Sequence, residues 1–214
     1  MKGWGLVIET AGPSCQVGLL RDGLPEGGIR WDWPQRHSEK LFLLVERVLA
    51  EGALRWGDVG YVVYHQGPGS HTGLRIGLTA VKAWALSLGW KVYAVPLMRV
   101  LYESGLHFFP PTSSIFTVWE TRAEQWYGQL WEKGQPQGEA VLRLREEWEE
   151  ILPPRVCWIG NRALLGREGV YLPEVSWMAV GAAAAAVSPA ETTAEITALI
   201  PLYFRSFVPT QRKP

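Results

Sequence analysis

The sequence predicts an α/β protein of two similar lobes. Two observations carry this. The order three strands, helix, strand, helix can be read twice along the chain, and 47% of the 214 residues are hydrophobic, enough for a sizeable core. The lobes are expected at 1–103 and 104–214, joined near 104–113, with the last ~20 residues packing back on the first lobe.

Residues 5–10 read as a buried strand, and 15–20 as a second that ends at the turn pair Asp22-Gly23. A third runs over 29–33 and stops at Pro34. A helix opens at Ser38-Glu39 and continues to about 51, with Gly52 as its C-terminal cap. Residues 61–65 are a fourth strand, 72–88 a helix ending at Gly89, 91–95 a fifth strand, and 97–103 a short helix before Pro110-Pro111. In the second half, strands are expected at 115–120, 124–132, 140–144 and 156–159. Helices are expected at 146–151 and 177–187, the last stopped by Pro189.

Between the fourth strand and the second helix lies Gly67-Pro68-Gly69-Ser70-His71-Thr72-Gly73-Leu74-Arg75-Ile76-Gly77-Leu78. Its glycines force a tight turn. Backbone N–H groups of Gly67, Gly69 and Gly73 at a helix start can wrap a phosphate, or the turn can be only a connection. It lacks the lysine of a P-loop and the spacing of a dinucleotide fingerprint. Ser70 and Thr72 read as helix caps.

On a helical wheel, Leu41, Phe42, Leu44, Val45, Val48 and Leu49 form the sheet-facing side of the first helix, with Leu43 and Ala50 opposite. In the second helix, Leu74, Leu78, Val81, Ala85 and Leu88 face the sheet. Gly73, Ile76, Ala80, Ala83 and Ser87 lie nearly opposite, Trp84 stands between, and only Arg75, Thr79 and Lys82 make a polar stripe. A helix apolar on two sides must be covered twice. The second cover is either another part of this chain or a partner's helix, which small residues allow to come close.

Catalytic groups are sparse. His37, His65, His71 and His107 form no ligand pair at helical spacing, since the residue four after His37 is Leu41. Glu9 and Glu120, at matching strand ends, are candidates for holding Mg²⁺, or else simply reflect the duplication. Cys15 and Cys157 read as buried thiols in a reducing compartment. The net charge of zero implies no extended basic surface, although Arg205, Arg212 and Lys213 crowd the C-terminus. No run approaches the ~20 apolar residues of a membrane span, and no signal-peptide core follows Met1. The expected location is the cytoplasm.

These residues resemble the TsaB (YeaZ) family. The matching segments are Leu6-Val7-Ile8-Glu9-Thr10, Arg36-His37-Ser38-Glu39-Lys40-Leu41 and above all the glycine turn. Glu120-Thr121-Arg122 with Tyr127, and Pro201-Leu202-Tyr203-Phe204-Arg205, match more weakly. His71 stands where the family usually has Phe, and Glu120-Thr121-Arg122 replaces an Asp-Ala-Arg pattern. The resemblance implies the duplicated, ribonuclease H-like fold of actin, Hsp70 and sugar kinases. It implies a non-catalytic subunit of the bacterial machinery that installs threonylcarbamoyl on adenosine in certain tRNAs. The implied partners are the catalytic paralogue TsaD, which carries a His-x-x-x-His metal grip where this chain has His37 and Leu41, the ATPase TsaE, and tRNA through the complex. Pairing through the first two helices, or homodimerisation by the same surface, would place Leu43, Gly73, Ile76, Ala80, Ala83 and Ser87 at the contact. No catalytic residue, metal site or cofactor of its own is implied, with Mg-ATP belonging to the complex. The glycoprotease label of such proteins comes from the paralogue, and no peptidase constellation is visible here. The alternative is a phosphotransferase or ATPase of the same fold, which would need Glu9, Glu120 and the glycine turn around Mg²⁺ and phosphate.

Overall fold

The computed structural model describes residues 1–32, 37–122, 124–164 and 166–204, without the side chains of 37, 38 and 122. Trp33, Arg36 and the tail with Arg205, Arg212 and Lys213 lie outside the described residues.

Two mixed sheets and their helices make up an α/β fold. β1 (Trp4–Glu9), β2 (Cys15–Arg21) and β3 (Leu24–Trp31) form an antiparallel meander. Asp22 and Gly23, at φ 53° and 85°, make the tight turn that lets β3 begin at Leu24, earlier than the apolar run at Ile29 suggests. α1 (His37–Glu51) leads to β4 (Val59–Gly67), α2 (His71–Leu88), β5 (Lys91–Pro96) and α3 (Leu97–Gly105). β4 and β5 run parallel to β1, giving the order β3-β2-β1-β4-β5.

The second sheet repeats this plan. Its strands are β6 (Ile115–Arg122), β7 (Gln125–Glu132), the short β8 (Gln135–Pro136) and β9 (Val141–Leu144). After α4 (Arg145–Ile151) come β10 (Cys157–Gly160) and β11 (Gly169–Tyr171). β6 pairs antiparallel with β7 and parallel with β10, and β11 extends the parallel edge. α5 (Trp177–Ala183) and α6 (Thr193–Ala198) follow. The repeat differs from the expected one. β11 was not legible, and the expected helix over 177–187 comes after it, in the place of α3 rather than of α2. It is also shorter, passing into a 3-10 turn at Ala184–Ala186.

The helices α3 and α5 join the two sheets. α3 packs on β6 and β10 of the second sheet, while α5 packs on β1, β2 and β3 of the first. Gly18 and Gly28 lie against the Trp177 ring, where a Cβ would collide. The resulting core runs from Val7, Leu20 and Val63 through Leu97, Leu101 and Val180 to Ile115 and Ile159. Both lobes thus share one apolar interior. On the other side of the first sheet, α1 and α2 cover Leu6, Ile8, Val17 and Val62.

Candidate protein-interaction site

α2 owes its start to its capping residue and its glycines. Ser70 Oγ accepts from Gly73 N at 3.2 Å, while Thr72 lies within the helix. Gly67, at φ 97°, has no space for a Cβ, which would lie 2.6 Å from Leu202 O. A Cβ on Gly69 would lie 2.6 Å from Ala11 O, and one on Gly73 would collide with Thr10 O. Gly73 is therefore buried against β1 and does not belong to the outer face where the helical wheel places it. Gly77, one turn on, has the same close approach to Thr10 and Tyr64. The glycines of this turn bring backbone against backbone, and the Gly73 N–H is already taken by Ser70 Oγ.

The helix ends at Gly89 in the left-handed conformation, φ 71°. The expected cap of α1 is displaced by one residue. Ala53 takes the positive φ of 53°, with Leu54 N donating to Leu49 O, while Gly52 presses on Leu19.

Leu74, Leu78, Val81, Trp84 and Ala85 are buried beneath α2. α6 covers one flank, where Lys82 Nζ donates to Thr197 O at 2.7 Å. The other flank meets α1 through an aromatic cluster. Phe42 and Trp84 lie edge to face at 5.2 Å, Trp56 is 5.3 Å from Trp84, and Trp56 stacks on Trp90 at 5.9 Å. Among the described residues, nothing closes the outward strip. Ala83 and Ser87 are exposed, Ile76 and Ala80 half-buried. Beside them, Phe42 and Leu43 are 51% and 54% exposed, and Leu86 and Leu88 each 43%. Phe42 and Leu88 were expected against the sheet, so the apolar surface is larger than the wheel suggests. Phe42 leans outward because Leu41, Leu44 and Val45 already fill the contact with the sheet. The run Trp84, Trp90 and Trp56 was the signal available in the sequence for this extension.

The chemistry-bearing residues are drawn into structural bonds. Glu9 is buried, with Oε1 accepting from Ala11 N at 2.7 Å and Gly12 N at 2.9 Å, and Oε2 paired with His65 Nδ1. Glu120 pairs with Arg162, and its backbone N–H donates to Asn161 Oδ1. The two carboxylates therefore have separate partners. Burial, reinforced by the Glu9 charge, pushes the Cys15 thiol up to about 12, and the same two causes raise the Tyr64 phenol. His71 stacks on Tyr203 at 4.7 Å. Leu41, one turn after His37, is buried. Among the described residues, no group of three His, Cys, Asp or Glu is placed to hold a metal ion, and no helix is long and apolar enough to cross a membrane.

Residues 25–128, which contain α1 and α2, match the family model for TsaD, tRNA N6-adenosine threonylcarbamoyltransferase. The chain is 28% identical to the tRNA threonylcarbamoyladenosine biosynthesis protein TsaB of Bacillus subtilis over 170 residues, covering 76% of this chain and 73% of that protein. It is 24% identical to the Escherichia coli protein of the same name over 176 residues, covering 82% and 70%. The chain is thus similar to the TsaB proteins of tRNA threonylcarbamoyladenosine biosynthesis. The fold agrees with TsaB structures. YeaZ from Pseudomonas aeruginosa superposes with a TM-score of 0.72 at 20% identity, covering 95% of this chain and all of that one. The tRNA N6-adenosine threonylcarbamoyltransferase of Thermus thermophilus is 31% identical over 191 residues, covering 70% of this chain and 59% of that enzyme.

Proposed function

We propose that this chain is a non-catalytic subunit that binds TsaD through the outer face of α1 and α2 and supports its transfer of threonylcarbamoyl to tRNA. The carrying observation is the uncovered apolar strip of Ile76, Ala80, Ala83 and Ser87, flanked by Phe42 and Leu43. A contiguous apolar face on a folded chain points to an interface. Small residues along it admit a second helix closely. The matched region of the TsaD family model includes these helices, so two related faces meet in a pseudo-symmetric pair, as a two-fold interface does. The same geometry accommodates a homodimer when TsaD is absent.

Lack of catalysis is supported by three features. Glu9 spends both carboxylate oxygens inside the fold. Leu41 stands one turn after His37 in place of a second metal-ligating histidine. The interior shared through α3 and α5 opposes the lobe closure by which kinases of this fold enclose a substrate. TsaE and tRNA then reach this chain as members of the complex, Mg-ATP belongs to that complex, and the site of action is the cytoplasm. Purification of a tagged chain from cells expressing TsaD tests the reading. A stoichiometric complex that dissociates on Ala80→Arg is the expected result, and a monodisperse chain free of TsaD overturns it.

A further inference from the structure

We propose that Glu9 and His65 are positioning residues for the partner-binding helix, setting where α2 begins through the turn after β1; this rests on the reading of α1 and α2 as the TsaD-binding face. β1 and β4 are parallel neighbours with Ile8 opposite Tyr64, so Glu9 and His65 follow side by side at the strand ends. Both are buried, at 0% and 2% exposure. A carboxylate in such a place is tolerated only when its oxygens are bonded. Here one oxygen gathers the amides of Ala11 and Gly12 and the other meets the imidazole.

The turn closed in this way carries the helix. Ser70 N donates to Ala11 O at 2.7 Å. Thr10 Oγ1 donates to Gly73 O at 2.8 Å, and the Thr10 carbonyl lies over Gly73 where no Cβ fits. From β4, Tyr64 next to His65 donates its hydroxyl to Leu74 O at 2.8 Å. Ser70, Gly73 and Leu74 are thus held from two strand ends that the Glu9–His65 pair ties together. Ile76 follows within the same turn of helix, and Ala80, Ala83 and Ser87 continue its face. A helix that packs through small side chains leaves little slack for a shifted partner.

The pair also has a spectroscopic signature. His65 Nε2 is buried without a hydrogen-bond partner. An ionised Glu9 selects the imidazole tautomer protonated at Nδ1, which leaves the buried Nε2 as a lone pair instead of an orphaned N–H. Glu9→Gln keeps the size and an oxygen for Ala11 and Gly12. It turns an NH₂ donor toward Nδ1, and so moves the imidazole proton to Nε2.

The test uses the full chain with TsaD of the same organism and the variants Glu9→Gln and Thr10→Val. Three quantities are read: affinity by calorimetry, the His65 tautomer by ¹⁵N NMR, and hydrogen exchange at Gly73 and Leu74. Expected for Glu9→Gln are the tautomer switch, faster exchange in the first turn of α2 with the β4 core still protected, and binding weakened about tenfold. Thr10→Val, which removes one turn–helix bond, shows the exchange and affinity changes without the tautomer switch, and decides the matter if Glu9→Gln does not fold. Wild-type affinity in both variants, while the wild-type chain binds TsaD, overturns the positioning role and leaves the function standing. Absence of binding by the wild-type chain, with the exchange changes present, overturns the TsaD reading and supports the hold on α2.

Discussion

Ala83→Arg separates binding from folding. Ala83 is exposed on the strip that continues from Ile76 and Ala80 to Ser87, and α6 and α1 occupy the two flanks of α2. In the free chain the new side chain extends into water. Arginine is only about 0.2 kcal/mol poorer than alanine in a helix, so the melting temperature should stay within roughly 2 °C. In the complex the same side chain meets a helix brought to within about 8 Å by small residues. It must force the helices apart or bury a guanidinium against apolar groups without a partner. A loss of about 3 kcal/mol, roughly 150-fold in Kd, follows from either route. Titration calorimetry against TsaD reads the affinity, and a melting curve of the isolated variant reads the fold. A variant that melts like wild type and binds TsaD as tightly places the interface elsewhere.

Four further outcomes are expected. Phe42→Ala removes a half-exposed ring that packs edge-on to Trp84; it should cost about 1 kcal/mol of stability and weaken TsaD binding roughly tenfold in the same two assays. Gly73→Ala drives a Cβ into the Thr10 carbonyl and should lower the melting temperature by roughly 6–12 °C, for an overpacking cost of about 3 kcal/mol. The Cys15 thiol is raised in the folded state, so its contribution is fully present below its unfolded pKa, near 9, and is lost as pH rises toward about 12. Urea midpoints at about pH 8 and pH 10.5 should therefore fall further for wild type than for Cys15→Ala. Mg-ATP should leave the melting temperature of the isolated chain unchanged, whereas a stabilisation abolished by Glu9→Gln favours a phosphotransferase.

Much of the first lobe was legible because its signals are local. The Asp22-Gly23 turn, the Ser70 cap and Gly89 each dictate a backbone conformation from one or two residues. The uncovered side of α2 was legible from Ile76, Ala80, Ala83 and Ser87, since apolar residues on both sides of one helix need two covers. Assignments at the edge of the wheel were weaker. Gly73 turned inward because the approach of α2 to Thr10 is set by tertiary packing, and Phe42 turned outward because its neighbours fill the sheet contact. The second lobe gave less. β11 is three residues long and α6 six, too short for a periodic pattern to emerge, and both are fixed by neighbours far away in sequence. The pairing of Glu9 with His65 was hidden for the same reason: it spans 56 residues and depends on the parallel register of β1 and β4. Both residues do fall at or next to the ends of predicted strands, and that was the one trace of it in the sequence.

The most direct measurement is the yield of threonylcarbamoyladenosine in tRNA when TsaD, TsaE and the threonylcarbamoyl donor are supplied with or without this chain. Modification that requires the wild-type chain, fails with Ala83→Arg and persists when Glu120 is replaced by Gln is the predicted result. Full modification in the chain's absence, or undiminished modification with Ala83→Arg, contradicts a role exerted through α1 and α2.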